Sequence, residues 1–287
     1  LTLYAEQIPA AFEWACLVEL DAPKPGNVHV FSAGHRMSAE QFVRSAAVAA
    51  NPLSAPAARI GVRILGAVEA TFAAVGANTN LGIILLCAPL AAAAEAASFD
   101  LRAALVEILH DLDKDDAALA FRAIVRAAPA GLGHSPRHDV FEPATVSLLQ
   151  AMIEAADRDR IARQYATDFA DVFEIGLPSL EAAMRRRCDV KWATLETYLG
   201  FLSAFPDTHV SRKLGIRTAA EVMQKASKFR ALLRNASDPE QLLPELLDWD
   251  TALKSDGVNP GTSADLTVAT LFAHRLRTIL PSLRNGG

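Results

Sequence analysis

Apolar residues along this chain recur every three or four positions rather than every second one. Leu101, Ala104, Leu105, Ile108 and Leu109 would line one face of a helix, as would Leu242, Leu243, Leu246 and Leu247. No long Val/Ile/Thr alternation bounded by hairpin turns is present. The densest apolar run, Leu81 to Ala97, is hydrophobic on nearly every side, which suits a helix covered by neighbours in the middle of a helical globule. Pro89 and Glu95 interrupt it, and its seventeen residues fall short of a membrane span.

The spacing predicts helices over 3–20, 38–50, 57–75, 80–97, 101–110, 114–127, 143–156, 159–174, 178–187, 191–204, 217–234, 239–254 and 263–280. Two starts carry capping-box spacing, in which side chains satisfy free backbone N–H groups: Ser38 with Gln41, and Ser237 with Glu240 across Pro239. The expected class is all-α, a single globular multi-helix domain over 1–287 with a buried apolar central helix. No fixed-period repeat or low-complexity linker divides the chain.

Composition narrows the partners. With 287 residues, 51% of them hydrophobic, the chain can bury a large core without disulfides or metal as scaffolding. Its 28 Lys and Arg against 33 Asp and Glu give a formal charge of −5. That argues against a general affinity for nucleic acid or acidic membrane surfaces and leaves small anionic substrates to local clusters. Cys16, Cys87 and Cys188 lie far apart and form no CxxC pair, so they read as buried or free thiols in a reducing compartment. Leu1 to Leu20 carries Glu6, Glu13 and Glu19 and lacks the basic-then-apolar pattern of a secretory leader. The expectation is a cytoplasmic protein, with a homo-oligomer left open.

Four longer irregular stretches, 21–37, 128–142, 205–216 and 255–262, are rich in Pro, Gly, Asn, Asp and His and are the first places to look for chemistry. In the first, Glu19 precedes Lys24-Pro25-Gly26-Asn27-Val28-His29. Pro25-Gly26 suits a tight turn with glycine at positive φ. Lys24 would then meet a phosphate as a point charge, while Asn27 and His29 supply hydrogen bonds or proton transfer. The competing reading is an ordinary helix-ending turn with a solvated lysine. Gly34-His35-Arg36-Met37 adds two cationic candidates beside a helix start, either an anion site or solvated side chains.

Asn78-Thr79-Asn80-Leu81-Gly82 opens the apolar helix, and Asn78 or Thr79 suits its N-cap. Capping needs no second asparagine, so these polar side chains also suit ribose hydroxyls or phosphate oxygens. Between Asp207 and Lys213 an acid, two hydroxyls, a histidine and two cations crowd together. Asp207 would accept a proton from an attacking hydroxyl or hold Mg2+, and Arg212 with Lys213 would neutralise phosphate. A polar surface turn accounts for the same density. In the last segment, Asn259 to Leu266, Thr262 and Asp265 have capping-box spacing. Alternatively the helix end binds phosphate while Asp265 and Asn259 face the substrate or its metal.

Other features carry less. His134 and His138 have the i, i+4 spacing of metal ligands, but Pro136 lies between them and no third ligand is adjacent. Asp111, Asp113, Asp115 and Asp116 read as caps and a solvated face. There is no Walker A loop, dinucleotide fingerprint or GxSxG elbow.

Together and in order, these segments resemble the triphosphoribosyl-dephospho-CoA synthase family. The matching residues are Glu19 before Lys24-Pro25-Gly26, then Gly34-His35-Arg36-Met37, Asn78-Thr79-Asn80-Leu81-Gly82, Asp207-Thr208-His209 and Pro260-Gly261-Thr262-Ser263-Ala264-Asp265-Leu266. The resemblance spans nearly the whole chain. It implies a helical, Mg-ATP-dependent transferase that moves the triphosphoribosyl group of ATP to dephospho-CoA or a related nucleotide- or phosphate-bearing acceptor and releases adenine. An acceptor hydroxyl would attack the anomeric carbon through a cation-like transition state, as in glycoside hydrolysis.

On that resemblance Glu19, His35 and Asp207 are the catalytic candidates, with Asp207 or Glu19 as base or cation stabiliser and His35 as acid for the departing adenine. Asp207 and Asp265 are the metal candidates. Lys24, Asn27, His29, Asn78, Thr79, Asn80, His209, Arg212, Lys213, Asn259 and Asp265 are the substrate contacts. Asn80 stands where the family carries His, and His209 where it carries Asn. With Pro-Gly-Asn-Val-His and Asn-Thr-Asn-Leu-Gly, these variants resemble a shorter, divergent branch associated with one-carbon carrier coenzymes of the methanopterin or methanofuran type. A step on such a coenzyme, or a non-catalytic nucleotide-binding role, is the alternative reading.

Overall fold

The computed structural model describes residues 2–34, 37–97, 100–129, 132–187 and 189–284. Its helices are α1 (Thr2–Asp21), α2 (Ala39–Leu53), α3 (Ile60–Val75), α4 (Leu81–Ala96), α5 (Leu101–His110), α6 (Lys114–Ala127), α7 (Leu148–Ala155), α8 (Arg160–Ala166), α9 (Leu177–Arg187), α10 (Val190–Ala204), α11 (Thr208–Leu214), α12 (Ile216–Asn235), α13 (Leu243–Ser255) and α14 (Gly261–Arg284). No strand forms among the described residues, only isolated bridges within the loop after α1. The all-α expectation is met.

Helix α4 is buried along almost its whole length, as its uniform apolarity requires, and packs against α3, α5 and α14. Helix α1 lies on α2 and α14, so the first and last helices are neighbours. Buried from Trp192 to Leu202, α10 is a second central helix, flanked by α9, α12 and α14. A large apolar core surrounds α4, and a smaller one joins α10, α12 and α13, where Phe229 stacks on Trp249 with ring centroids 4.8 Å apart. Among the described residues no single helix is long and apolar enough to cross a membrane. Cys16 and Cys87 are free thiols; Cys188 lies outside the described residues.

Several boundaries follow the expected chemistry. Ser38 and Gln41 form the reciprocal capping box of α2. Asp113 and Asp116 form another at α6, with Arg59 paired to both. Elsewhere the local signal misleads. Asp238, not Ser237, caps a short 3-10 turn (Pro239–Leu242) that leads into α13. The Thr262/Asp265 box does not form: α14 already begins at Gly261, and the Thr262 hydroxyl accepts the His209 N–H at 3.1 Å.

The helix expected over 159–174 breaks after Ala166, where Asp168 and Phe169 take positive φ of 50° and 56°. The chain resumes as a π-helical stretch (Asp171–Gly176) running into α9, and Arg160 holds Asp171 at 2.7 Å across the break. The expected loop 205–216 contains α11, whose two turns matter for the site below.

Candidate active site

A cavity of about 620 Å³ opens where the starts of α4, α11 and α14 meet the loop after α1 and the segment before α7. One of its lining carboxylates is Asp265, half-buried in the first turns of α14. The carboxylate lies against the backbone of Gly82 in the first turn of α4, so closely that a β-carbon on Gly82 would overlap it. The positive end of α4 therefore faces a carboxylate, which favours its ionised form. Burial works the other way and is the larger effect. Together with repulsion from Glu19, Asp207 and Asp159, and only partly offset by Arg212, it holds the Asp265 carboxyl well above the ordinary range.

Glu19, at the end of α1, is the second carboxylate on this floor. Burial raises its pKa, and Lys24 opposes the rise. Lys24 Nζ sits 3.2 Å from Glu19 Oε1 and also donates to the carbonyls of Glu19 (2.6 Å) and Val28 (3.0 Å). The ammonium is thus enclosed by the turn it stabilises, with no exposure.

That turn has the expected shape: Gly26 takes φ 82°. Its N–H donates to Asp250 Oδ1 at 2.8 Å, and Tyr198 Oη donates to the Pro25 carbonyl at 2.8 Å. Asp250 also receives Lys254 Nζ at 2.8 Å and lies 3.4 Å from Nε2 of the buried His29. Burial lowers the His29 pKa, with the nearby Asp250 carboxylate opposing. The loop is thereby fastened to α13. Asn27 alone reaches over the cavity from this turn, its Nδ2 donating to Asn259 Oδ1 at 2.9 Å and so joining the first loop to the start of α14.

Asp207 caps α11. Its Oδ1 accepts the N–H groups of His209 (2.9 Å) and Val210 (3.2 Å), and its Oδ2 accepts the N–H and hydroxyl of Ser263, both at 2.8 Å. Fully buried, it clamps α11 to α14. The result is that Thr208 and Thr262 hydroxyls meet at 3.0 Å and the His209 ring lies over Gly261, whose β-carbon, if present, would stand 3.0 Å from Nδ1.

At the mouth of α4, Asn78 Oδ1 accepts the Leu81 N–H at 3.1 Å, the capping role expected of it. Thr79 bonds Ser45 at 2.6 Å and Asn80 bonds Thr71 at 3.2 Å, so both line the cavity in fixed rotamers.

One wall carries cations. Arg212 pairs with Asp159 at 3.0 Å. Lys213 donates to the Gly257 carbonyl at 3.1 Å, and Arg158 to Ser135 Oγ at 2.9 Å and the Glu154 carbonyl at 3.3 Å. Ser135 belongs to a segment organised by Asp139, whose carboxylate accepts the N–H groups of Ser135 (2.8 Å) and Phe141 (3.0 Å) and holds His134 Nδ1 at 3.1 Å. Backbone donors depress the Asp139 pKa. Beside this segment the lining turns apolar, with Phe42, Phe121, Ile124, Leu132 and Met152.

Of the residues singled out from sequence, Glu19, Asn27, Asn78, Thr79, Asn80, His209, Arg212, Lys213, Asn259 and Asp265 line one cavity. Three do not and are corrected. Lys24 is not a phosphate contact but the buried counter-charge of Glu19. His29 is not a substrate contact but packs behind the loop on Asp250. Asp207 is neither base nor metal ligand, because both oxygens are spent on backbone and hydroxyl donors. His35 lies outside the described residues. The Ser135, His138, Asp139 and Arg158 wall escaped the sequence reading, where His134 and His138 were weighed only as zinc ligands; Arg158 and Asp159 between two helical patterns were the available signal.

The family model for ATP:dephospho-CoA triphosphoribosyl transferase (CitG) matches residues 5–282. The chain belongs to this family. A curated relative from Azotobacter vinelandii, provisionally named 2-(5''-triphosphoribosyl)-3'-dephosphocoenzyme-A synthase, is 30% identical over 112 residues, 39% of this chain and 38% of the relative. That match therefore spans well under half of the relative's length. A solved structure from Archaeoglobus fulgidus, provisionally named a triphosphoribosyl-dephospho-CoA synthase, superposes with a TM-score of 0.63 at 26% identity, covering 81% of this chain and 97% of that one.

Proposed function

We propose that this chain transfers the triphosphoribosyl group of ATP to a ribose hydroxyl of dephospho-CoA and releases adenine. Membership of the CitG family supports the reaction class. The observation that carries the reading is the convergence on one cavity of two carboxylates, the half-buried Asp265 and the buried Glu19, with the cations Arg212 and Lys213.

The chemistry asks for that combination. The acceptor oxygen bonds to the anomeric carbon of the ATP ribose, the bond from that carbon to adenine breaks, and the hydroxyl proton is finally carried by adenine. Positive charge builds on the sugar between, as in glycoside hydrolysis. Asp265, with its raised pKa, is suited to take the hydroxyl proton. Glu19 is placed to face the sugar, with Lys24 opposing the rise in pKa that burial causes, and Arg212 with Lys213 neutralises the polyphosphate.

Magnesium fits this floor. Mg2+ is commonly held by one or two protein carboxylates plus substrate phosphates, and no cluster of three or more ligating side chains is found among the described residues. Glu19 is the residue that would hold it together with substrate phosphates, leaving Asp265 to take the proton, and the ion would supply charge neutralisation on the triphosphate.

The test is chromatographic detection of free adenine from Mg-ATP with and without dephospho-CoA. Acceptor-dependent adenine is expected. ATP binding without adenine release would overturn the transferase reading in favour of a binding role, and adenine release only with a one-carbon carrier coenzyme would replace the acceptor.

A further inference from the structure

Among the described residues, two cations lining the cavity, Arg158 and Lys213, have no carboxylate partner. Arg212 is matched by Asp159, whereas Arg158 and Lys213 are held by neutral oxygens, those of Ser135 and Glu154 for the first and Gly257 for the second. Arg158 adjoins Asp159 in the chain and Lys213 adjoins Arg212, so the Arg212–Asp159 ion pair links the two segments that carry them. Lys213 is on the side of Gly257 and Asn259, and through Asn259 and Asn27 on the side of the carboxylate floor. Arg158 bonds Ser135 and follows α7, which carries the lining residue Met152 and packs on α6, the helix of the lining residues Phe121 and Ile124.

Resting on the transferase reading above, we propose that Arg158, oriented by Ser135, grips the diphosphate of the acceptor nucleotide, while the triphosphate of ATP lies along Lys213 and Arg212. The reaction joins two nucleotides that each carry a phosphate chain, so the site needs two separate places for such chains, both outside the sugar-binding floor. The apolar lining decides which is which. A triphosphate ends in charged oxygens and gains nothing from a wall of Phe121, Ile124, Leu132 and Met152. The acceptor continues beyond its diphosphate into a long, mostly uncharged arm that would cover that wall. A guanidinium suits the grip because its planar fork binds two phosphate oxygens at once.

Arg158 is a substrate-positioning residue on this view, remote from the reacting atoms. Its side chain is exposed, so its substitution leaves the core intact. The experiment compares the full chain with Arg158→Gln, Arg158→Lys and Arg212→Gln, measuring KM for ATP and for dephospho-CoA together with calorimetric binding of dephospho-CoA alone. Loss of a charge-assisted grip is expected to weaken dephospho-CoA binding, and to raise its KM, about tenfold in Arg158→Gln, with the KM for ATP within about twofold. Arg158→Lys is expected to recover part of the loss, since charge remains and the fork does not. Arg212→Gln is expected to show the opposite split.

A tenfold rise in the KM for ATP in Arg158→Gln, or calorimetric binding of dephospho-CoA equal to that of the unchanged protein, overturns the proposal. Absence of dephospho-CoA binding by the unchanged protein does so too. If that protein binds dephospho-CoA and Arg158→Gln does not, yet no adenine appears, the subsite stands and the transferase reading falls.

Discussion

The Asp265 carboxylate rests on the bare α-carbon of Gly82, and this contact joins the start of the most buried helix to the start of the last one. A methyl group at Gly82 would force the carboxylate to rotate away. Gly82→Ala is expected to cost little stability, because the displaced atoms are the far end of a side chain, but to lower adenine release about a hundredfold. Steady-state adenine assays alongside thermal unfolding check this; an alanine variant with full activity removes Asp265 from the chemistry.

Asp265 should also impose a pH dependence on stability. Its folded pKa is raised above the unfolded value, so the folded state holds this proton more tightly and stability falls as pH climbs from about 4 through the raised folded pKa. Asp265→Asn removes that loss. The variant is expected to be inactive yet to unfold at a higher temperature than the parent at pH 7, with the gain shrinking toward pH 4. A gain independent of pH would contradict this account.

Lys24 and Glu19 form a buried pair, and breaking one leaves the other unmatched. Lys24→Met is expected to destabilise by about 3 kcal/mol. The double variant Lys24→Met with Glu19→Gln should recover part of that loss in urea unfolding while remaining inactive. If Lys24→Met is as stable as the parent, the ammonium is not what holds the turn.

Asp207→Asn separates a clamp from a catalyst. The amide cannot accept all the hydrogen bonds that the carboxylate accepts, and one N–H donor at the α14 start is left facing another donor. A loss of about 2 kcal/mol is expected, with activity per folded molecule within about threefold of the parent. A thousandfold loss of turnover in a folded variant would return Asp207 to the role of base.

The helical class was legible because periodicity and capping are local. Ser38 with Gln41 and Asp113 with Asp116 announce helix starts within a few residues, and the run from Leu81 admits only a buried helix. The site was legible as a set of loops but not as a geometry. Lys24, His29 and Asp207 are the residue types that chemistry uses, and nothing in their spacing reveals that Glu19, Asp250 and Ser263 occupy them. The break after Ala166 was invisible because Asp168 and Phe169, rather than glycines, adopt the positive φ. Arg158 went unnoticed because its value depends on Ser135, a partner 23 residues away that no motif marks.

The hydrogen bond from Asn27 to Asn259 spans 232 residues of chain. During synthesis at roughly 5–20 residues per second, about ten to fifty seconds separate these two amides leaving the ribosome. Throughout that interval Glu19 has no Asp265 beside it and the cavity has no floor. A nascent chain therefore has no assembled cavity until α14 emerges, and a chain ending just ahead of α14 lacks both the Asp265 carboxylate and the helix that packs on α1, α4 and α10.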